Sequence, residues 1–156
     1  MKRTAQRTLA ACAALSLACP LTGGLRPAKT RIEGSPSRPA FVFDTTLVLA
    51  DFTVERWTGE KWTKVWAIEN APSTRVRVRQ VEYGTVPDGY SEYVPPKEPT
   101  LATNALYKVL YEGGAVRGGT TFAVVERDGK PTVVELDPGK PFADVLAEFD
   151  RLVRAR

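Results

Sequence analysis

Leu101-Ala-Thr-Asn-Ala-Leu-Tyr107 runs straight into Lys108-Val-Leu-Tyr-Glu112, which places Tyr107, Val109 and Tyr111 on one face of a strand. A leucine six residues ahead of a tyrosine that opens a strand is how a β-sandwich pins a crossing loop. The ring packs beside the leucine, and the phenol hydroxyl reaches back to a nearby main-chain group. Such a corner needs two packed sheets, so this stretch restricts the fold more tightly than composition does.

The chain has 156 residues, 43% hydrophobic and 26% charged, enough for one domain with a core of its own plus tails. It contains no histidine. That removes Ser-His-Asp and Cys-His catalysis and the ordinary zinc site. Asp88, Glu92 and Glu98 fall in a loop without the spacing of a calcium-binding hand. The expectation is a non-enzyme with no cofactor and no metal.

Met1-Lys-Arg-Thr-Ala-Gln-Arg-Thr precedes the apolar run Leu9–Ala18, a charged segment followed by a short hydrophobic one. The run is about half of the ~20 residues a membrane-spanning helix needs, so residues 1–18 read as an export signal. Ser16-Leu-Ala-Cys19 suits an ordinary signal peptidase and also resembles a bacterial lipobox, in which the cysteine becomes acylated; Leu9-Ala-Ala-Cys12 matches in letters but leaves almost no hydrophobic segment before it. Cleavage before Cys19 leaves a mature chain with one cysteine and no internal disulfide. Cys19 is therefore the expected lipid attachment site, with simple secretion into the periplasm or medium as the alternative. With Pro20 rather than aspartate after it, the lipoprotein resemblance implies outer-membrane sorting.

Losing residues 1–18 removes Lys2, Arg3 and Arg7 and no acid, which lowers the net charge from +4 to +1. Residues 41–156 carry 15 cations against 17 anions, so the global basic field of a nucleic-acid binder is absent. Residues 19–40, rich in Pro, Gly, Ser and Arg, read as a flexible tether.

The domain is expected over residues 41–137. Phe41–Trp57 reads as a strand in which Val48, Ala50, Phe52 and Val54 alternate with Leu49, Asp51, Thr53 and Glu55. Thr58-Gly-Glu-Lys61 is a turn, and Trp62–Ile68 returns as the second arm of a hairpin, with Trp66 and Ile68 candidates for the core. Trp57 and Trp62 flank the turn. They form either a cross-strand pair or an exposed stacking surface for a sugar or partner. Arg75, Arg77 and Arg79 share a face opposite Val76 and Val78, either a solvated stripe or an anion-binding one. The parity slips at Gln80, and a β-bulge near Arg79 and Gln80 returns Val81 and Tyr83 to the core.

Residues 84–100 contain Pro87-Asp-Gly89 and Pro95, Pro96 and Pro99 and lack a strand pattern. Tyr83, Tyr90 and Tyr93 decorate this segment and, with Trp57 and Trp62, make the candidate binding surface; closure of an open sandwich edge is the alternative use of the tyrosines. Residues 112–119 form a glycine-rich hairpin loop. Thr120–Glu126 and Thr132–Leu136 flank an Asp128-Gly129 turn.

About seven short strands with turns every eight to twelve residues suit an immunoglobulin-like antiparallel sandwich. From Trp62 to Val125 the chain resembles fibronectin type III and related domains of small bacterial envelope proteins, on Trp66-x-Ile68, Tyr83-Gly with Pro87-x-Gly89, the corner ending at Tyr107, and Phe122-x-Val124. The resemblance implies adhesion, scaffolding or spacing and transfers no catalytic residue.

Residues 138–156 are expected to carry a C-terminal amphipathic helix, with Phe142, Val145, Leu146, Phe149, Leu152 and Val153 on one stripe. The stripe docks on the domain's own sheet or on a partner, for which Phe142, Leu146, Phe149 and Leu152 are the candidate residues. The whole reads as an exported, lipid-anchored envelope protein acting by protein contacts. The alternative is a carbohydrate- or peptidoglycan-associated module using the tyrosine-rich loop.

Overall fold

The computed structural model describes residues 28–71, 75–114 and 116–155. The signal-like segment, Cys19 and the first part of the tether lie outside them. The described residues form nine strands and a helix: β1 Thr30–Ser35, β2 Arg38–Leu47, β3 Asp51–Trp57, β4 Trp62–Asn70, β5 Val78–Glu82, β6 Tyr90–Val94, β7 Ala105–Gly113, β8 Val116–Arg127, β9 Lys130–Leu136 and α1 Phe142–Arg154. One sheet has the order β1-β2-β5 and the other β6-β4-β3-β7-β8-β9, with every pairing antiparallel. The result is an immunoglobulin-like antiparallel β-sandwich with a C-terminal helix. Among the described residues no helix is long and apolar enough to cross a membrane.

Inward-facing residues of both sheets make an aromatic core. Phe41 packs against Phe52 and Phe122, Phe43 against Tyr111, and Trp66 against Phe52 and Tyr83, with ring centroids 5.0–5.8 Å apart. Trp66 and Ile68 are fully buried. The corner forms as the spacing requires: the Tyr107 hydroxyl accepts from the Ala102 amide at 2.8 Å and donates to the Ala102 carbonyl at 3.3 Å. Its ring stacks on Phe122, and Leu101 lies in the same core.

Four expectations need correction. Residues 30–40, assigned to the tether, are built into the small sheet as β1 and the start of β2, joined by Pro36-Ser37. An edge strand such as β1 buries little more than Ile32, so no apolar periodicity marks it. Phe41–Trp57 is two strands, because the chain crosses between sheets at residues 48–50; there Leu49 is buried and Ala50 exposed, the reverse of the assumed phase. The supposed loop over 84–100 contains β6, an edge strand on β4 that stops before Pro95. Most of the glycine-rich loop is strand, since β7 runs to Gly113 and β8 begins at Val116.

The parity slip in β5 also resolves differently. Val78 and Val81 are buried and Arg79 and Gln80 exposed between them. Five residues of β2 advance from Val42 to Leu47 while β5 advances two, from Gln80 to Val78. The irregularity falls at the expected position beside Arg79 and Gln80 and returns Val81 and Tyr83 to the core, with its extra residues in β2 and not in β5.

The helix lies on the outer face of the six-stranded sheet. Val145, 4% exposed, packs with Leu106, Ala123, Val125 and Leu136, while Leu146, Phe149, Leu152 and Val153 close around them. Pro141 caps the start without a side-chain bond, Asp144 sits in the first turn, and Arg151 and Arg154 sit in the last, which suits the helix dipole.

Candidate functional site

The sequence-derived surface divides once placed in three dimensions. Tyr83 and Tyr90 are buried, and their hydroxyls latch loops onto the core. Tyr83 donates to the Glu98 carbonyl at 3.3 Å; Tyr90 donates to the Val76 carbonyl and accepts from the Leu49 amide, both at 3.2 Å. Main-chain groups between strands lack ladder partners, and these phenols supply one to the proline-rich segment at Glu98 and others to Val76 and the Leu49 crossover. These two tyrosines are therefore not binding-surface residues. Trp57 and Trp62 pair across the hairpin at 5.5 Å, and Phe142 covers both rings at 4.9 and 5.6 Å. Lys108 Nζ lies 4.6 Å from the Trp62 ring centroid. The tryptophans thus serve helix docking and do not form an open stacking surface. Of the five residues only Tyr93, 38% exposed, remains at the surface.

Tyr83, Tyr90, Tyr107 and Tyr111 all ionise above the ordinary phenol value of 10.0, burial being the largest cause in each, and Tyr83 is pushed up to about 12. A raised folded-state pKa favours the neutral phenol, so this stabilisation is complete below about pH 10 and lost as pH climbs through the folded values. The melting temperature is expected to fall steeply between about pH 10 and 12, in step with phenolate absorbance. Phenolate appearing fully at pH 10 with no loss of structure would contradict the burial of these rings.

The helix covers one half of the outer face of the six-stranded sheet and leaves the other half open. On β3 the outward residues are Asp51, Thr53 and Glu55, because Phe52 and Val54 face the core. Their cross-strand partners continue the rows: Lys64, Glu55 and Lys108 in one, Ala67, Thr53, Leu110 and Gly119 in the next, and Glu69, Asp51, Glu112 and Arg117 in the last. A groove of about 380 Å³ runs between them, lined by Asp51, Thr53, Glu55, Lys64, Leu110 and Arg117 among others.

Charges around the groove are paired. Lys108 bonds Glu55 at 2.9 Å, and Arg117 bonds Glu112 at 2.8 Å. Tyr93 donates to Asp51 Oδ2 at 2.5 Å and accepts from Lys64 Nζ at 3.2 Å, while Thr53 donates to Asp51 Oδ1 at 2.9 Å. The bond to Tyr93 is the largest cause of the upward shift in the Lys64 pKa. At the centre stands Leu110, 42% exposed and paired with Gly119, where an added Cβ would meet the Val109 carbonyl oxygen and come within 3.2 Å of Leu110 Cδ2. The sequence marks Leu110 only indirectly, by its position between the inward-facing Val109 and Tyr111. No protein-family model, curated protein or solved structure matches the chain.

Proposed function

We propose that this chain is a non-catalytic interaction module of the bacterial cell envelope. In this reading it is exported by residues 1–18, anchored through acylated Cys19, and contacts a protein partner through the open half of its six-stranded sheet. The observation that carries the reading is Leu110, exposed at the centre of a groove whose charges already have partners. A helix docked on the other half of that face supports it, since the apolar stripe of α1 already has a place on this domain and the partner contact falls to the sheet. The glycan reading is left with one exposed ring, Tyr93, in place of an aromatic platform.

Leu110→Arg places a cation at the centre of this exposed face without touching the core. Cross-linking in intact envelopes is expected to join the wild-type protein to a partner and to lose that product in Leu110→Arg, with equal melting temperatures for the two. The same product at the same yield in the variant would remove this face from the reading. Intact mass of the membrane-recovered protein, beside Cys19→Ala, tests the anchor separately.

A further inference from the structure

The register slip between β2 and β5 does more than restore alternation. Where β2 advances without a partner in β5, a cleft of about 320 Å³ opens on the small sheet, lined by Lys29, Thr30, Arg31, Val42, Phe43, Asp44 and Arg79. Strand irregularities of this kind commonly re-aim side chains beside binding sites. Here the slip brings Arg79 of β5 to the same wall system as Lys29 and Arg31, residues far apart in sequence. Val42, only 7% exposed, and Phe43 supply an apolar floor.

The charges of this cleft are unlike those of the sheet groove. Arg31 pairs with Glu33 at 2.5 Å. Lys29 and Arg79 form no ion pair with any of the described residues, although Asp44 lines the same cleft. Three cations against one carboxylate give the lining a formal charge of +2 in a domain that is otherwise slightly acidic. Arg75 and Arg77, both exposed, lead along the chain toward Arg79 and extend the field.

We propose that this cleft is a phosphate-binding site, which takes the phosphate ester of an anionic lipid headgroup or of a soluble compound. Guanidinium and ammonium groups lining one cleft with an apolar floor suit a phosphate oxygen set attached to a less polar body. The site is independent of the partner face, which lies on the other sheet. Lys29 follows Cys19 by ten residues, which covalent geometry limits to a reach of about 35 Å. If Cys19 is acylated, the cleft is the part of the domain that the anchor holds nearest the headgroups.

The test uses the full chain with two probes, glycerol phosphate followed by amide chemical shifts, and vesicles of phosphatidylcholine with or without phosphatidylglycerol. Glycerol phosphate is expected to shift the amides of Lys29, Arg31 and Arg79. Lys29→Glu combined with Arg79→Glu should weaken its binding by about tenfold or more. Asp44→Asn, which raises the lining charge, should tighten it. All three substituted side chains are exposed, so the melting temperature should hold. Reversing Arg127 and Lys130 to glutamate at the β8–β9 turn makes the same net change elsewhere and should leave binding unaltered. Preference for phosphatidylglycerol vesicles that the cleft variant loses identifies the lipid source, whereas glycerol phosphate binding without vesicle preference identifies a soluble ester. No binding of either probe, or equal loss from the cleft and turn reversals, overturns the site.

Discussion

Gly113→Ala is expected to be the most damaging single-methyl change in the domain. A Cβ at Gly113 would lie 1.9 Å from the Val48 carbonyl oxygen and 2.8 Å from the Leu49 Cα, both of them backbone atoms. The end of β7 passes there directly under the crossover that carries the chain from the small sheet to the large one. The crossover cannot retreat cheaply, because the Ala50 amide bonds the Glu112 carbonyl at 2.7 Å and Leu49 is buried in the core. Overpacking usually costs about 1–3 kcal/mol, and a clash between two backbones belongs at or beyond the upper end. For a domain of this size that is a fall in melting temperature of roughly 10 °C. Gly114→Ala is the control: its φ is +57 but nothing lies within 4 Å of the added atom, so the cost is the left-handed backbone alone, about 1 kcal/mol. A Gly113→Ala protein that melts no lower than Gly114→Ala would mean that the crossover is not packed on β7.

The same glycine shows where a sequence stops being legible. Gly113, Gly114, Gly118 and Gly119 read as one hairpin loop, yet of the four only Gly114 has a positive φ. Gly113 is required by a neighbour 64 residues earlier in the chain, and Gly118 by the Tyr111 hydroxyl, 2.4 Å from its would-be Cβ. Local composition carries no trace of such approaches. Features whose cause is local were read correctly: the Leu101–Tyr107 corner, the Trp57–Trp62 and Arg127–Lys130 hairpins, and the apolar stripe of α1. Edge strands β1 and β6 escaped because a strand paired on one side buries few residues. The binding surfaces escaped for a different reason. Tyr83 and Tyr90 drew attention as aromatics in a proline-rich segment, but main-chain groups draw both phenols inward: the Glu98 carbonyl of that segment for Tyr83, and Val76 and Leu49, both outside it, for Tyr90. Leu110 became a candidate only once pairing showed what lies beside it, whereas Arg79 was legible as part of an arginine stripe and the structure added Lys29 and Arg31 to its surroundings.

Tyr107→Phe tests the feature with the widest structural reach. The substitution keeps the ring, which stacks on Phe122 at 5.4 Å, and removes only the oxygen that both accepts from the Ala102 amide and donates to its carbonyl. A net hydrogen bond is worth about 1 kcal/mol, and a part-buried amide left without its acceptor adds about 1–3 kcal/mol. The expected loss is therefore about 2 kcal/mol or slightly more in denaturant unfolding, several times the effect of an exposed Tyr93→Phe. The loss should be local before it is global. The loop from β6 enters the core at Leu101, whose amide bonds the Ser37 carbonyl at 2.7 Å, so Leu101 stays pinned to the small sheet while Ala102 is released. Amide exchange should accelerate at Ala102 and leave Val109, fully buried in the middle of β7, at the rate of global opening. Equal exchange at Ala102 in the two proteins would show that the hydroxyl follows the loop's position without holding it. The corner's stabilisation would then come from the ring and Leu101 alone.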